Sequence, residues 1–188
     1  MCRVLDKLKG KEAEELLAEY AVDDSVPVNL NQILLNIGLS ALPKNFADLE
    51  KSLGRKKGDI LGLIIAKGGK AAIFFKKDDP LNHQRCTIAH ELAHCCLHYT
   101  ELEEIRHIEL REDRNNEDAR EKEAEIFAGQ LLIPVKRLRE IYLDLAIPDS
   151  ITLANKFAVS TNMMEERLDY LKISYINKDG QTIVYENE

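Results

Sequence analysis

The stretch CTIAHELAHCCLH, residues 86–98, places three histidines, one glutamate and three cysteines within about three helical turns. At its centre stands His90-Glu91-Leu92-Ala93-His94, an HExxH pattern. On a helix, residues four apart share a face with Cβ atoms about 5–6 Å apart. Two imidazoles there can converge on one metal ion at about 2.0–2.1 Å. Glu91 is placed to take a proton from an activated water rather than to ligate. The flanking residues Ile88, Ala89, Leu92, Ala93 and Leu97 are apolar, so the helix should be largely buried. Buried histidines beside a glutamate need partners, and a metal supplies them.

Two ligands do not make a firm site, so a third must come from elsewhere. His98 continues the four-residue series, but it stands eight residues from His90, about 12 Å along a straight helix. It is read as a second-layer or capping group. Cys86 fails against His94 by the same arithmetic, and Cys95 and Cys96 fall off the ligand face as small buried fillers. The better source is the later run NNEDAREKEAEIFAGQLL. Its apolar stripe is Ala124, Phe127, Ala128 and Leu131, and Glu121 lies on that stripe, three residues before Ala124. An acid on a buried face is costly unless paired. Glu123, at the edge of the stripe, is the alternative ligand. Glu125, one turn after Glu121, is a candidate to hydrogen-bond a histidine's outer nitrogen.

These groups need elements to hold them. Residues 11–21 and 28–38 have helical apolar spacing, with Asn29 or Asn31 as a cap and Gly38 as a stop for the second. The runs at 60–66 and 71–76, joined by KGGK, predict a β-hairpin turning at Gly68 and Gly69. KKDDPLNHQ leads into the HExxH helix. Residues 101–125 hold eleven acids and five bases, nearly all of the chain's net charge of −7. The first part of this segment lacks periodicity and reads as a loop. From Glu117 a helix is expected, capped by Asn116 and stopped by Pro134, which opens the next one. Residues 151–173 read as helix, short turn at 159–161, helix. The tail alternates around Asp179-Gly180 as a terminal hairpin. The reading is α+β and mainly helical, with a small antiparallel hairpin or sheet. One unit spans 1–148, and a helix-turn-helix-like segment with the terminal hairpin spans 149–188.

With 188 residues, 45% apolar and 31% charged, the chain is long enough to bury a polar site. Its pI near 5.4 gives no whole-surface attraction to nucleic acid. No apolar run reaches the roughly 18–20 residues of a membrane span. The start lacks the apolar core of a secretory signal. Four cysteines at irregular spacing predict free thiols in a reducing compartment.

The two motifs in this order resemble the ImmA/IrrE family of zinc metallopeptidases. The residues that carry the resemblance are Gln84-Arg85-Cys86-Thr87-Ile88-Ala89-His90-Glu91-Leu92-Ala93-His94 with Leu97-His98, then Glu121-Lys122-Glu123-Ala124-Glu125-Ile126-Phe127-Ala128 running into Leu131-Leu132-Ile133-Pro134. Cys86 stands where the family usually has an aromatic, and Glu125 where it usually has Asn or Asp. The resemblance implies a zincin-like core and a gluzincin-like zinc site from His90, His94 and a glutamate, with Glu91 as catalytic base. It further implies a cytoplasmic protease acting on a helix-turn-helix repressor of a mobile element, phage or stress regulon. The acidic 101–125 segment is compatible with a basic partner of that kind.

Two other functions fit parts of the sequence. Residues 152–171 could act as a DNA-binding helix-turn-helix, but 151–173 carry three bases and three acids, with no basic stripe, so direct contact with nucleic acid is not expected. A zinc-stabilised interaction module of weak activity is the second, against which the intact Glu91 argues.

Overall fold

A computed structural model describes residues 3–22, 24–99, 104–110 and 118–185. The N-terminal part runs α1 (Arg3–Asp6), α2 (Ala13–Glu19), α3 (Leu30–Ile37), β1 (Leu39–Lys44), α4 (Ala47–Ser52), β2 (Ile60–Lys67) and β3 (Lys70–Lys76). Then follow α5 (Leu81–Leu97), β4 (Ile105–Leu110), α6 (Ala119–Leu132) and α7 (Val135–Asp144). The chain closes with α8 (Ser150–Phe157), α9 (Thr161–Tyr170), β5 (Tyr175–Ile176) and β6 (Thr182–Ile183). The architecture is α+β.

Local chemistry accounts for most of these boundaries. Asn29 caps α3 by accepting from the Gln32 N–H at 3.2 Å, and Gly38 ends it at φ 85°, a left-handed position that glycine takes without strain. Pro134 opens α7 directly after α6. The expected cap Asn116 and first helical residue Glu117 lie outside the described residues. The cap of α6 is Asp118, whose carboxylate accepts from the Arg120 N–H at 2.9 Å.

The hairpin β2–β3 pairs antiparallel and turns between Lys67 and Lys70, as its KGGK predicts. Two neighbours extend it to four strands in the order β1-β3-β2-β4. β1 joins parallel to β3, so the sheet is mixed rather than antiparallel throughout. β4 joins antiparallel to β2 and corrects the loop expected there. Leu61 is an extra residue in β2, since Ile60 pairs with Leu110 and Gly62 with Glu109. The bulge sends Ile60 and Leu63 to the α4 side, where they pack with Phe46. It sends Gly62 toward α5, on the face where Ile64 joins the main core.

α5 is clamped between this sheet and α6. Every residue from Cys86 to Cys96 is buried. A helix covered on both sides shows no single apolar stripe. Its C-terminal end is tied down where the Gly10 N–H donates to the Cys96 carbonyl at 2.9 Å. The α8–α9 pair is docked near its other end. Arg85 donates through Nε to the Ala158 carbonyl at 3.1 Å and through Nη2 to the Val28 carbonyl at 2.9 Å. Asn82 donates to the Val159 carbonyl at 3.3 Å. Leu153, Phe157 and Leu168 of the pair enter the main core. The tail forms the expected hairpin, Tyr175 opposite Ile183. Among the described residues, no helix is long and apolar enough to cross a membrane, and Cys86, Cys95 and Cys96 are buried thiols outside any disulfide.

Candidate metal centre

His90 and His94 stand one turn apart on α5, with ring centroids 4.7 Å apart and planes at 75°. Their Nε2 atoms lie 3.0 Å from each other. The first turn of α6 brings Glu121 over both, with Oε2 3.1 Å from His90 Nε2 and Oε1 3.4 Å from His94 Nε2. One donor atom from each residue can be chosen so that all lie within 4.8 Å. A tetrahedral ion with bonds of about 2.0–2.1 Å places neighbouring donors about 3.3 Å apart, and these separations bracket that edge. Two imidazole nitrogens and a carboxylate also suit zinc chemically. The donor set therefore fits the metal implied by the HExxH pattern.

The electrostatics point the same way. Glu121 is 8% exposed, and hydrogen bonding from His90 and then His94 pulls its pKa well below the usual carboxylate range, against the opposing effect of burial. Burial lowers the pKa of His94, although Glu121 opposes this. A neutral imidazole and an ionised carboxylate are the forms that ligate.

The outer nitrogen of His94 belongs to a relay. His94 Nδ1 lies 2.8 Å from His98 Nδ1, and His98 Nε2 lies 3.0 Å from Glu123 Oε2. An ionised carboxylate only accepts, so His98 Nε2–H donates to Glu123. A neutral His98 then accepts at Nδ1, and His94 donates there from its own Nδ1–H. That tautomer leaves the His94 Nε2 lone pair facing His90 and Glu121. Thus Glu123 stands behind His98 rather than beside the donor trio. Glu125 lines the same cleft as His90 and Thr87.

Glu91 is fully buried and points to the sheet. A Cβ added to Gly62 would lie 2.6 Å from Glu91 Oε1, 2.9 Å from Glu109 Oε2 and 2.9 Å from Thr87 Cγ2. The missing side chain of Gly62 therefore makes the hollow that two carboxylates share. Glu109, on β4, is 0% exposed, with Oε1 3.7 Å from His90 Nε2. His107, two residues earlier, puts its ring 5.2 Å from that of His94, and Tyr99 stacks on His94 at 5.7 Å. None of Gly62, Glu109, His107 or Tyr99 was expected from the sequence. Only the period-two spacing of Ile105, His107 and Glu109 could have pointed to the last two positions on β4.

Beside the trio opens a cleft of about 790 Å³. Thr87 and His90 of α5 form part of its wall, and Ser160 and Met163 at the start of α9 form another part. Cys86 lies in that wall with Sγ 3.5 Å from Met163 Sδ.

No curated protein matches the chain. A family model does, over residues 45–169, and that span holds α5, β4, α6 and every residue of the site. The chain therefore belongs to the peptidase family Peptidase_M78, described as the IrrE N-terminal-like domain.

Proposed function

We propose that this protein is a zinc-dependent endopeptidase of the cytoplasm that cleaves a basic helix-turn-helix repressor. The observation that carries the reading is the buried trio His90, His94 and Glu121, with Glu91 buried on the same helix. His90 and His94 would hold the metal through Nε2 and Glu121 through its carboxylate. Bound zinc supplies Lewis-acid polarisation of the scissile carbonyl and lowers the pKa of the attacking water. Glu91 takes the proton of that water at a carboxylate oxygen and returns it to the leaving amine. Gly62, with no Cβ, leaves the room on the sheet in which that carboxylate sits.

The substrate half rests on shape and charge. The start of α9 lines the cleft, so a bound polypeptide would touch the helix pair as it reaches the metal. That arrangement favours α8–α9 as a docking wall over a DNA reader, in keeping with its balanced charge. The acidic segment beside the site favours a basic partner. Of its acids Glu101, Glu103 and Glu104, the first two lie outside the described residues. Glu104 is exposed and pairs with Lys67 at 2.9 Å.

The test is cleavage of a co-expressed candidate repressor by parent and Glu91→Gln, with zinc measured in both. The amide cannot serve as base, so cleavage should fall about 10²–10⁴-fold while zinc and fold are kept. Full cleavage by zinc-loaded Glu91→Gln would sink the peptidase mechanism. Binding of the repressor without cleavage by either protein would favour a zinc-stabilised interaction module.

A further inference from the structure

A second cavity, of about 390 Å³, lies between α6 and α9. It adjoins the metal cleft, since Glu125, Met163 and Glu166 line both. Arg167 lines it and is 6% exposed. Its Nε donates to the Ile133 carbonyl at 3.3 Å, and its Cζ lies 5.6 Å from the centre of the Tyr170 ring. Among the described residues no carboxylate is in ion-pair contact with the guanidinium, although the exposed Glu14 acts on its charge from farther away. The hydrogen bond from Nε leaves the two terminal nitrogens without a hydrogen-bond partner among the described residues, on a side chain that lines the cavity.

A guanidinium is charged at every pH a protein survives, and burying it without an anion is costly. The rim does not remove that cost. Lys122, Lys172 and Glu166 are exposed there, and the half-buried Glu125 also lines the wall. Asp169 already accepts from the Tyr175 and Tyr185 hydroxyls, at 3.0 and 2.6 Å. Exposed charges are screened by water, so the buried arginine dominates the floor. Ile126, Met163 and Tyr170 supply apolar and aromatic walls.

We propose that this cavity binds a small carboxylate, held end-on by the two terminal nitrogens of Arg167, with the carbon skeleton against Ile126 and Tyr170. The planar fork of arginine matches a carboxylate with two parallel hydrogen bonds. Two sources carry this chemistry. One is an acidic side chain of a polypeptide that reaches over from the cleft; the other is a free carboxylate that binds without any polypeptide.

The probe is 4-fluorobenzoate, followed by fluorine NMR on the full-length purified chain, with neutral 4-fluorobenzyl alcohol as its partner. The acid should bind the parent about tenfold or more tightly than the alcohol, the range of a charge-assisted pair of hydrogen bonds. Arg167→Met keeps an unbranched apolar stem but removes the guanidinium, and should erase that preference. Ile126→Trp keeps the arginine, fills the cavity and should weaken both probes, which guards against an arginine variant that fails to fold. Displacement of the probe by an eight-residue peptide with one Glu, and not by its Gln counterpart, would support the polypeptide source. Displacement by succinate and by neither peptide would support a free carboxylate. Equal binding of acid and alcohol to the parent, or the acid preference surviving in folded Arg167→Met, would overturn the proposal. So would loss of the preference in Lys122→Gln and Lys172→Gln alone, because rim lysines would then explain it.

Discussion

α5 and β4 bring buried polar side chains to the same centre, but they are held in different ways. α5 is a 17-residue helix with sheet on one side and α6 on the other, and its inner eleven residues, Cys86–Cys96, are all buried. β4 has six residues and, among those described, hydrogen-bonds to β2 alone, at the sheet edge. The helix carries the groups whose separations must match an ion's coordination edge. The strand carries Glu109 and His107, which stand behind and beside those groups. The candidate metal donors sit on the element that is packed on both sides. The polar groups beside them come from a strand at the sheet edge.

Breaking the helix side should have the largest effect. His94→Ala leaves two donors, and the purified protein should lose the roughly one equivalent of metal expected of a three-ligand site. Elemental analysis reads this directly. Glu121→Ala should lose metal far more than Glu123→Ala, because among the described residues Glu123 contacts the site through His98. The reverse ranking would mean that α6 presents a different face to α5.

The relay should give the next effect. Glu123→Gln keeps the shape but offers His98 a weaker acceptor, which relaxes the tautomer set on His94. Losing such a partner typically costs about 10–100-fold in metal affinity. Competition with a chelator of known affinity measures it. Unchanged affinity in both Glu123→Gln and His98→Gln would show that His94 is oriented by packing alone.

How far these parts can be read from the sequence follows the same division. The HExxH helix is legible because two histidines one turn apart, among apolar flanks, have few other uses. Glu121 is legible because it breaks an apolar stripe. The KGGK hairpin and the Asp179-Gly180 turn are legible from glycine placement. β4 is not, and the reason is physical. Its inward positions are Ile105, His107 and Glu109, two of them polar because they face the site rather than a core. The alternation that reveals a strand is an alternation of apolar side chains, and function has removed it here. β1 hides for another reason. Its Pro43 suits only an edge, and its parallel partner β3 is far along the chain. Gly62 reads as an ordinary small residue in an apolar run, and only the sheet–helix approach shows what its missing Cβ leaves room for.

Gly62→Ala tests the strand side and should have the smallest effect on the metal. The new methyl would meet Glu91 Oε1, Glu109 Oε2 and Thr87 Cγ2, all within 3 Å. Two of those atoms end flexible side chains, so the carboxylates should move rather than the backbone. Overpacking of this kind costs about 1–3 kcal/mol, read from denaturant midpoints. His90, His94 and Glu121 are not among the atoms met, so metal content should hold while cleavage falls, because the proposed base Glu91 would be displaced. Glu109→Ala opens one side of the hollow. The cost of Gly62→Ala should therefore shrink in that background, a non-additivity that neighbours show and distant sites do not. If the two changes add, the carboxylates do not share the hollow. If Gly62→Ala loses metal as His94→Ala does, strand and helix act as one unit and the division between them fails.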